Sequence, residues 1–153
     1  MIQRLDWSRL TTHQVGRYAE YFVKMELTLF GFEVFNSEVD DRGVDFVTRR
    51  NGGLYYEVQV KSVRLKNTSG YIFFPKSKFA LRPGLLAALV LLYHGCEPEL
   101  FLIPSEAWLT PNAVLIDRDY DGLKSAPEWG VNVSERNRHL LLPYLFETSV
   151  ETL

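Results

Sequence analysis

Apolar residues recur at helical spacing between residues 11 and 30, at Val15, Tyr18, Ala19, Phe22, Met25, Leu29 and Phe30, and predict one amphipathic helix. Thr11 and Gln14 stand three apart at its start, the spacing of a capping box. Gly31 supplies the stop. Beyond it the period falls to two. "FEVFNSE", "GVDFVTRR" and "LYYEVQVKSV" predict three strands, the last two joined by the hairpin signal "NGG". "GYIFFP" predicts a short strand or extended arm. "LLAALVLLY" and "ELFLIP", joined by "HGCEPE", read as buried core strands, although the first also suits a helix. "PSEAW" suits a short helix capped by Ser105, and a last helix is expected between Ser134 and Phe146, with Pro143 near its end. "KSAPEWGVNVS" reads as a packed turn leading to that helix. With no repeats and no linkers, the order α, β, β, β, loop-rich insert, β, β, α predicts a single α/β domain over residues 1–153.

One predicted strand has an unusual face. In "YYEVQVKS" the alternate residues Tyr55, Glu57, Gln59 and Lys61 share a side, so an acid, an amide and an ammonium stand in a row. If Asn51, Gly52 and Gly53 form the turn, Arg50 pairs with Leu54 and Asp45 falls opposite Gln59, on the same face. A slip of one residue would turn Asp45 to the other side. In this register Asp45, Glu57, Gln59 and Lys61 converge on one polar patch. A carboxylate and an amide oxygen are hard ligands suited to Mg²⁺. A neighbouring lysine orients water or stabilises negative charge developing at phosphorus. This set suits phosphodiester hydrolysis better than acyl transfer, since no serine or cysteine stands with an adjacent histidine. His13, His94 and His139 lack metal-ligand spacing, and Cys96 has no CxxC partner.

Composition and charge refine this picture. A hydrophobic fraction of 46% and an aromatic fraction of 14% exclude disorder. The single cysteine excludes an internal disulfide and fits a reducing compartment. The start lacks the apolar core of a signal peptide, and the longest apolar run, Leu85 to Tyr93, is too short to cross a bilayer. A cytoplasmic domain with no membrane partner is expected. Net charge is −2, but residues 61–82 carry Lys61, Arg64, Lys66, Lys76, Lys78 and Arg82 and no acid. Interleaved with Tyr71, Phe73 and Phe74, this stretch reads equally as a phosphate-tracking segment or as a solvated loop. The aromatics Tyr55, Tyr56, Phe73 and Phe74 are expected in the core rather than on a base-stacking platform.

From "GRYAEYF" through "GVDF" to "VQVKS", the first half of the chain resembles the PD-(D/E)xK nuclease superfamily, closest to small members that carry QVK. The resemblance implies a restriction-endonuclease-like core, a central mixed β-sheet flanked by helices. Residue by residue, Glu20 fits the helix glutamate, Asp45 the hairpin aspartate, Gln59 the variable ligand and Lys61 the lysine. Asp45, Gln59 and the Val60 carbonyl would hold Mg²⁺, with Mn²⁺ as a substitute. Glu20 would bind through water or hold a second ion, and Lys61 would position the attacking water. Two features depart from the pattern. Gln59 replaces a carboxylate, and "KNTSGYIFFPKSKFALRPG" offers no helix after the lysine strand.

The function implied is metal-dependent DNA hydrolysis, with Arg64, Lys66, Lys76, Lys78 and Arg82 holding phosphates and a dimer needed to cut both strands of a duplex. RNA is a further candidate substrate. The alternative is a non-catalytic nucleic-acid-binding or protein-interaction module on the same fold. Glu20 has a competing partner in Lys24, four residues on. Asp45 could instead cap the turn after "DDRG", and Lys61 could be a solvated strand end. Glu57 and Glu26 are left without a role, Glu26 lying near the centre of the predicted apolar arc.

Overall fold

The computed structural model describes residues 1–39 and 42–153; Asp40 and Asp41, the first two residues of the sequence "DDRG", lie outside it. Helix α1 (Thr12–Leu29) begins at the predicted capping box: the Gln14 amide donates to Thr11 Oγ1 at 3.2 Å, and the Thr11 amide to Gln14 Oε1 at 2.9 Å. Its buried stripe is Val15, Ala19, Val23 and Leu27, flanked by Tyr18, Phe22 and Phe30. Met25 and Leu29 are exposed, contrary to the predicted arc, because the four-residue steps from Val15 set the inward face. Glu26 therefore sits on the flank.

Eight strands follow: β1 (Phe32–Asn36), β2 (Phe46–Arg50), β3 (Tyr56–Arg64), β4 (Gly70–Pro75), β5 (Leu85–Leu92), β6 (Glu99–Pro104), β7 (Leu115–Arg118) and β8 (Glu128–Val133). Five form a mixed sheet in the order β1-β2-β3-β5-β6, in which only β3 and β5 run parallel. The other three form a second sheet, β4-β8-β7. All eight residues of β5 are buried because the strand is covered on both faces. Leu86, Ala88, Val90 and Leu92 join α1 in one core, and Leu85, Ala87, Leu89 and Leu91 join the second sheet in the other.

The second sheet takes the place of the helix missing after the lysine strand. Two of its strands differ from the prediction: β7 lies where the sequence pattern predicts no strand, and "EWGVNV" is its central strand rather than a turn. The C-terminal segment is also irregular. A 3₁₀ run (Arg138–Tyr144) containing Pro143 and a four-residue helix α2 (Phe146–Ser149) stand where one helix was expected. Proline removes an amide donor and clashes with the preceding turn, which prevents a continuous α-helix.

The hairpin ladder keeps the predicted register over Phe46 opposite Val58, Val47 opposite Glu57 and Thr48 opposite Tyr56, but it ends before Asp45, whose amide bonds the Val58 carbonyl rather than standing in a pair with Gln59. Its turn is tighter than expected. The Gly53 amide closes onto the Arg50 carbonyl at 2.9 Å around Asn51 and Gly52, both at positive φ, as in a primed hairpin turn. The strands then shift by one residue before the ladder begins. No helix among the described residues is long and apolar enough to cross a membrane.

Candidate functional site

The β2–β3 hairpin places Asp45 immediately before β2. Its amide donates to the Val58 carbonyl at 2.9 Å, although Phe46 already stands opposite Val58. Two residues thus face one, a bulge-like step that re-aims a side chain. The Asp45 carboxylate turns onto β3 and accepts the Val60 amide at 2.6 Å. Asp45, Gln59, Val60 and Lys61 line one cleft of about 330 Å³, completed by Gly43, Pro75 and Lys78.

Two properties of this cleft have chemical meaning. Gln59 is buried, 7% exposed, yet its Oε1 has no hydrogen-bond partner among the described residues. An unsatisfied buried acceptor costs about 1–3 kcal/mol, so it marks a place where a ligand or water is due. Lys61 Nζ lies 5.9 Å from the Phe74 ring centroid and makes no ion pair among the described residues. An ammonium left in a half-buried cleft is a receptor for an anion.

Glu20 approaches from the other side of the sheet. It lines a second cavity of about 500 Å³ with Thr12, His13, Gln14, Arg17, Asp45 and Val60. Asp45 and Val60 are the wall common to both cavities, whereas Gln59 and Lys61 face only the first. Both oxygens of Glu20 are also engaged, by Arg17 at 3.2 Å and by Lys24 at 3.0 Å. The structure therefore brings Asp45, Gln59, Val60 and Lys61 together and sets Glu20 behind them.

The basic insert divides sharply. Arg64 donates to the carbonyls of Trp7 and Leu10, at 3.1 and 2.7 Å, and so ties down the chain ahead of α1. Arg82 binds Glu57 through Nη2 at 2.6 Å and Nε at 2.9 Å, which also gives Glu57 its role. Lys76 is held by Asp117 and Asp119 and stacks 3.9 Å from the Trp129 ring centroid. Burial opposes its charge, but those two hydrogen bonds outweigh it and raise its pKa. Because their cationic groups already have internal partners, these three are poor candidates for the expected phosphate contacts. Lys66 and Lys78 are exposed and make no ion pair among the described residues.

Lys78 is held at the mouth by its backbone. Gly43, at φ +75°, packs so closely that a Cβ there would lie 2.8 Å from the Lys78 carbonyl oxygen and 3.4 Å from Gln59 Nε2. Gly43 and Pro75 join the site without being among the residues that the sequence pattern predicts for it. The glycine two residues before Asp45 was the available signal.

Oxygen donors suit a hard divalent cation. Asp45, the unpartnered Gln59 Oε1 and the Val60 carbonyl fit one that keeps several waters. No group of three or more His, Cys, Asp or Glu side chains among the described residues could enclose an ion.

The fold around this cleft is α/β and restriction-endonuclease-like, a central mixed sheet with helical cover. Among the solved structures that share it, two are similar over most of the chain. One is Hjc from Archaeoglobus fulgidus, a Holliday junction resolvase of an archaeal hyperthermophile, at 17% identity and a TM-score of 0.51, covering 88% of this chain and 95% of that one. The other is the bacterial homing endonuclease I-Ssp6803I, at 15% identity and a TM-score of 0.53, covering 94% and 99%. No protein-family model matches the chain. No curated protein matches it in sequence.

Proposed function

We propose that this protein is a metal-dependent endonuclease that hydrolyses DNA phosphodiester bonds. The observation that carries the reading is the cleft that unites Asp45 with a buried Gln59 oxygen and a Lys61 ammonium, neither of which has a hydrogen-bond or ion-pair partner among the described residues. The shared fold with a Holliday junction resolvase and a homing endonuclease supports it.

Asp45, Gln59 and the Val60 carbonyl would hold Mg²⁺ or Mn²⁺. When bound, such an ion polarises a phosphoryl oxygen and lowers the pKa of water. The Val60 amide fixes the Asp45 carboxylate, so the main charged ligand is oriented before substrate arrives. Lys61, two residues beyond Gln59 on the same face, would direct its ammonium to the attacking water or to a non-bridging oxygen as charge develops there. Glu20 would act through an intervening water, since Arg17 and Lys24 occupy its oxygens. Lys78 and Lys66 would hold flanking phosphates, and two copies would be needed to cut both strands of a duplex.

The engaged Glu20 and the neutral Gln59 favour a second reading, a non-catalytic module that binds nucleic acid or protein. A metal-dependent cleavage assay on single-stranded, duplex and branched DNA, with RNA alongside and Lys61→Ala as control, separates the two. Cleavage by the parent and none by Lys61→Ala supports the enzyme. Absence of both cleavage and any thermal shift with Mn²⁺ supports the module.

A further inference from the structure

The second sheet covers the Gln59 face of the main sheet over β5, β6 and the end of β3, where its core residues pack. On β1 and β2 that same face is not covered by the second sheet, and among the described residues it is partly to fully exposed. Residues alternate along these strands, so Glu33 and Phe35 on β1, and Val47 and Arg49 on β2, share the side that carries Glu57, Gln59 and Lys61. Phe35 is 43% exposed and Tyr55, just ahead of β3, is 56% exposed. Tyr55 and Phe73, itself 48% exposed, thus depart from the expected core cluster, in which Phe74 is fully buried.

These rings are organised. Their centroids lie 6.0 Å apart at 57°, and the Arg49 guanidinium sits 5.7 Å from Phe35 and 4.9 Å from Tyr55. Glu33 holds Arg49 Nε at 2.7 Å, which keeps the guanidinium against the rings and neutralises the patch. A neutral platform does not attract phosphate. It offers π-faces and a planar cation, the chemistry on which bases stack. Tyr55 stands four residues along the strand from Gln59, about 13 Å, so one nucleic-acid strand can span both.

We infer that Phe35, Arg49 and Tyr55 form a stacking platform for unpaired nucleobases beside the cleavage site; this rests on the nuclease reading. Paired bases keep their faces within the duplex stack, so the ligand class is single-stranded or branched DNA. A second copy of the chain is a poor occupant. Stable interfaces need about 800 Å² per partner, and these rings with the exposed Leu54 offer roughly 300 Å².

The test measures binding of a fluorescent single strand and of a blunt duplex of the same sequence, by anisotropy, in EDTA and in Ca²⁺. Tyr55→Ala and Phe35→Ala should each weaken single-strand binding about 5- to 150-fold, the effect of losing one base–aromatic stack, and change duplex binding less than about 2-fold. Tyr55→Phe should bind as the parent does. A parent that cleaves DNA while both alanine variants bind single strands unchanged would overturn the platform and spare the nuclease reading. A parent that binds neither DNA would overturn both. A concentration-dependent dimer in sedimentation equilibrium that Tyr55→Ala abolishes would also overturn the platform, in favour of self-association.

Discussion

Gly43→Ala tests how the cleft is built. Gly43 sits at φ +75°, and a Cβ there would meet the Lys78 carbonyl oxygen at 2.8 Å and Lys78 Cβ at 3.2 Å. Alanine at positive φ costs about 1–2 kcal/mol. The overlap adds to that, because a backbone carbonyl cannot swing aside as a side-chain end can, and overpacking of this kind costs about 1–3 kcal/mol. The total is about 2–5 kcal/mol. Gly52→Ala is the matched control: its φ is +67°, but nothing lies within 4 Å of the added carbon. It should lose only the conformational part, about 1–2 kcal/mol. Urea unfolding of both variants measures the difference, and the Gly43 variant should in addition lose cleavage while still folded, because the Lys78 backbone is displaced from the cleft mouth. Equal stabilities for the two variants, with cleavage retained by Gly43→Ala, would refute the reasoning.

Other expectations follow from the same contacts. Lys78→Ala should weaken DNA binding and flatten its salt dependence at unchanged stability, whereas Lys76→Ala should lower stability by about 1 kcal/mol and leave the salt slope alone; titrations at several salt concentrations beside urea curves distinguish them. Glu20→Gln should reduce Mn²⁺ affinity far less than Asp45→Ala in calorimetric titration, because Arg17 and Lys24 already engage its oxygens. Burial, then the bond it donates to Glu128, raises the Tyr71 phenol above the usual tyrosine range. Its contribution to stability is therefore complete below about pH 10 and lost as pH rises through the raised value, and absorbance titration of Glu128→Gln should show that phenol ionising earlier.

Local signals carried much of this structure. Thr11 and Gln14 announce α1, and the all-apolar β5 announces a strand buried on both sides. The register that sets Asp45 beside β3 was legible from the alternation in β3 and the "NGG" turn, although the turn itself is one residue tighter and corrected by a slip. Strand β8 was hidden because Gly130 and the preceding Ser-Ala-Pro read as a turn. Only the fold explains that glycine: the Tyr71 ring lies across it where a Cβ would be. The partners of the basic insert were hidden for a related reason. Arg64, Lys76 and Arg82 find partners at Trp7 and Leu10, at Asp117 and Asp119, and at Glu57, too distant along the chain for sequence spacing to reveal.

Metal titration beside a cleavage time course, for the parent, Lys61→Ala and Asp45→Ala, bears most directly on the proposed chemistry. Lys61 is not among the ligands proposed for the ion, so its loss should abolish cleavage and leave Mg²⁺ or Mn²⁺ affinity nearly intact. Asp45 is the main charged ligand, so its loss should abolish both. Cleavage by Lys61→Ala at the parent's rate, or metal affinity in Asp45→Ala equal to the parent's, would contradict the account.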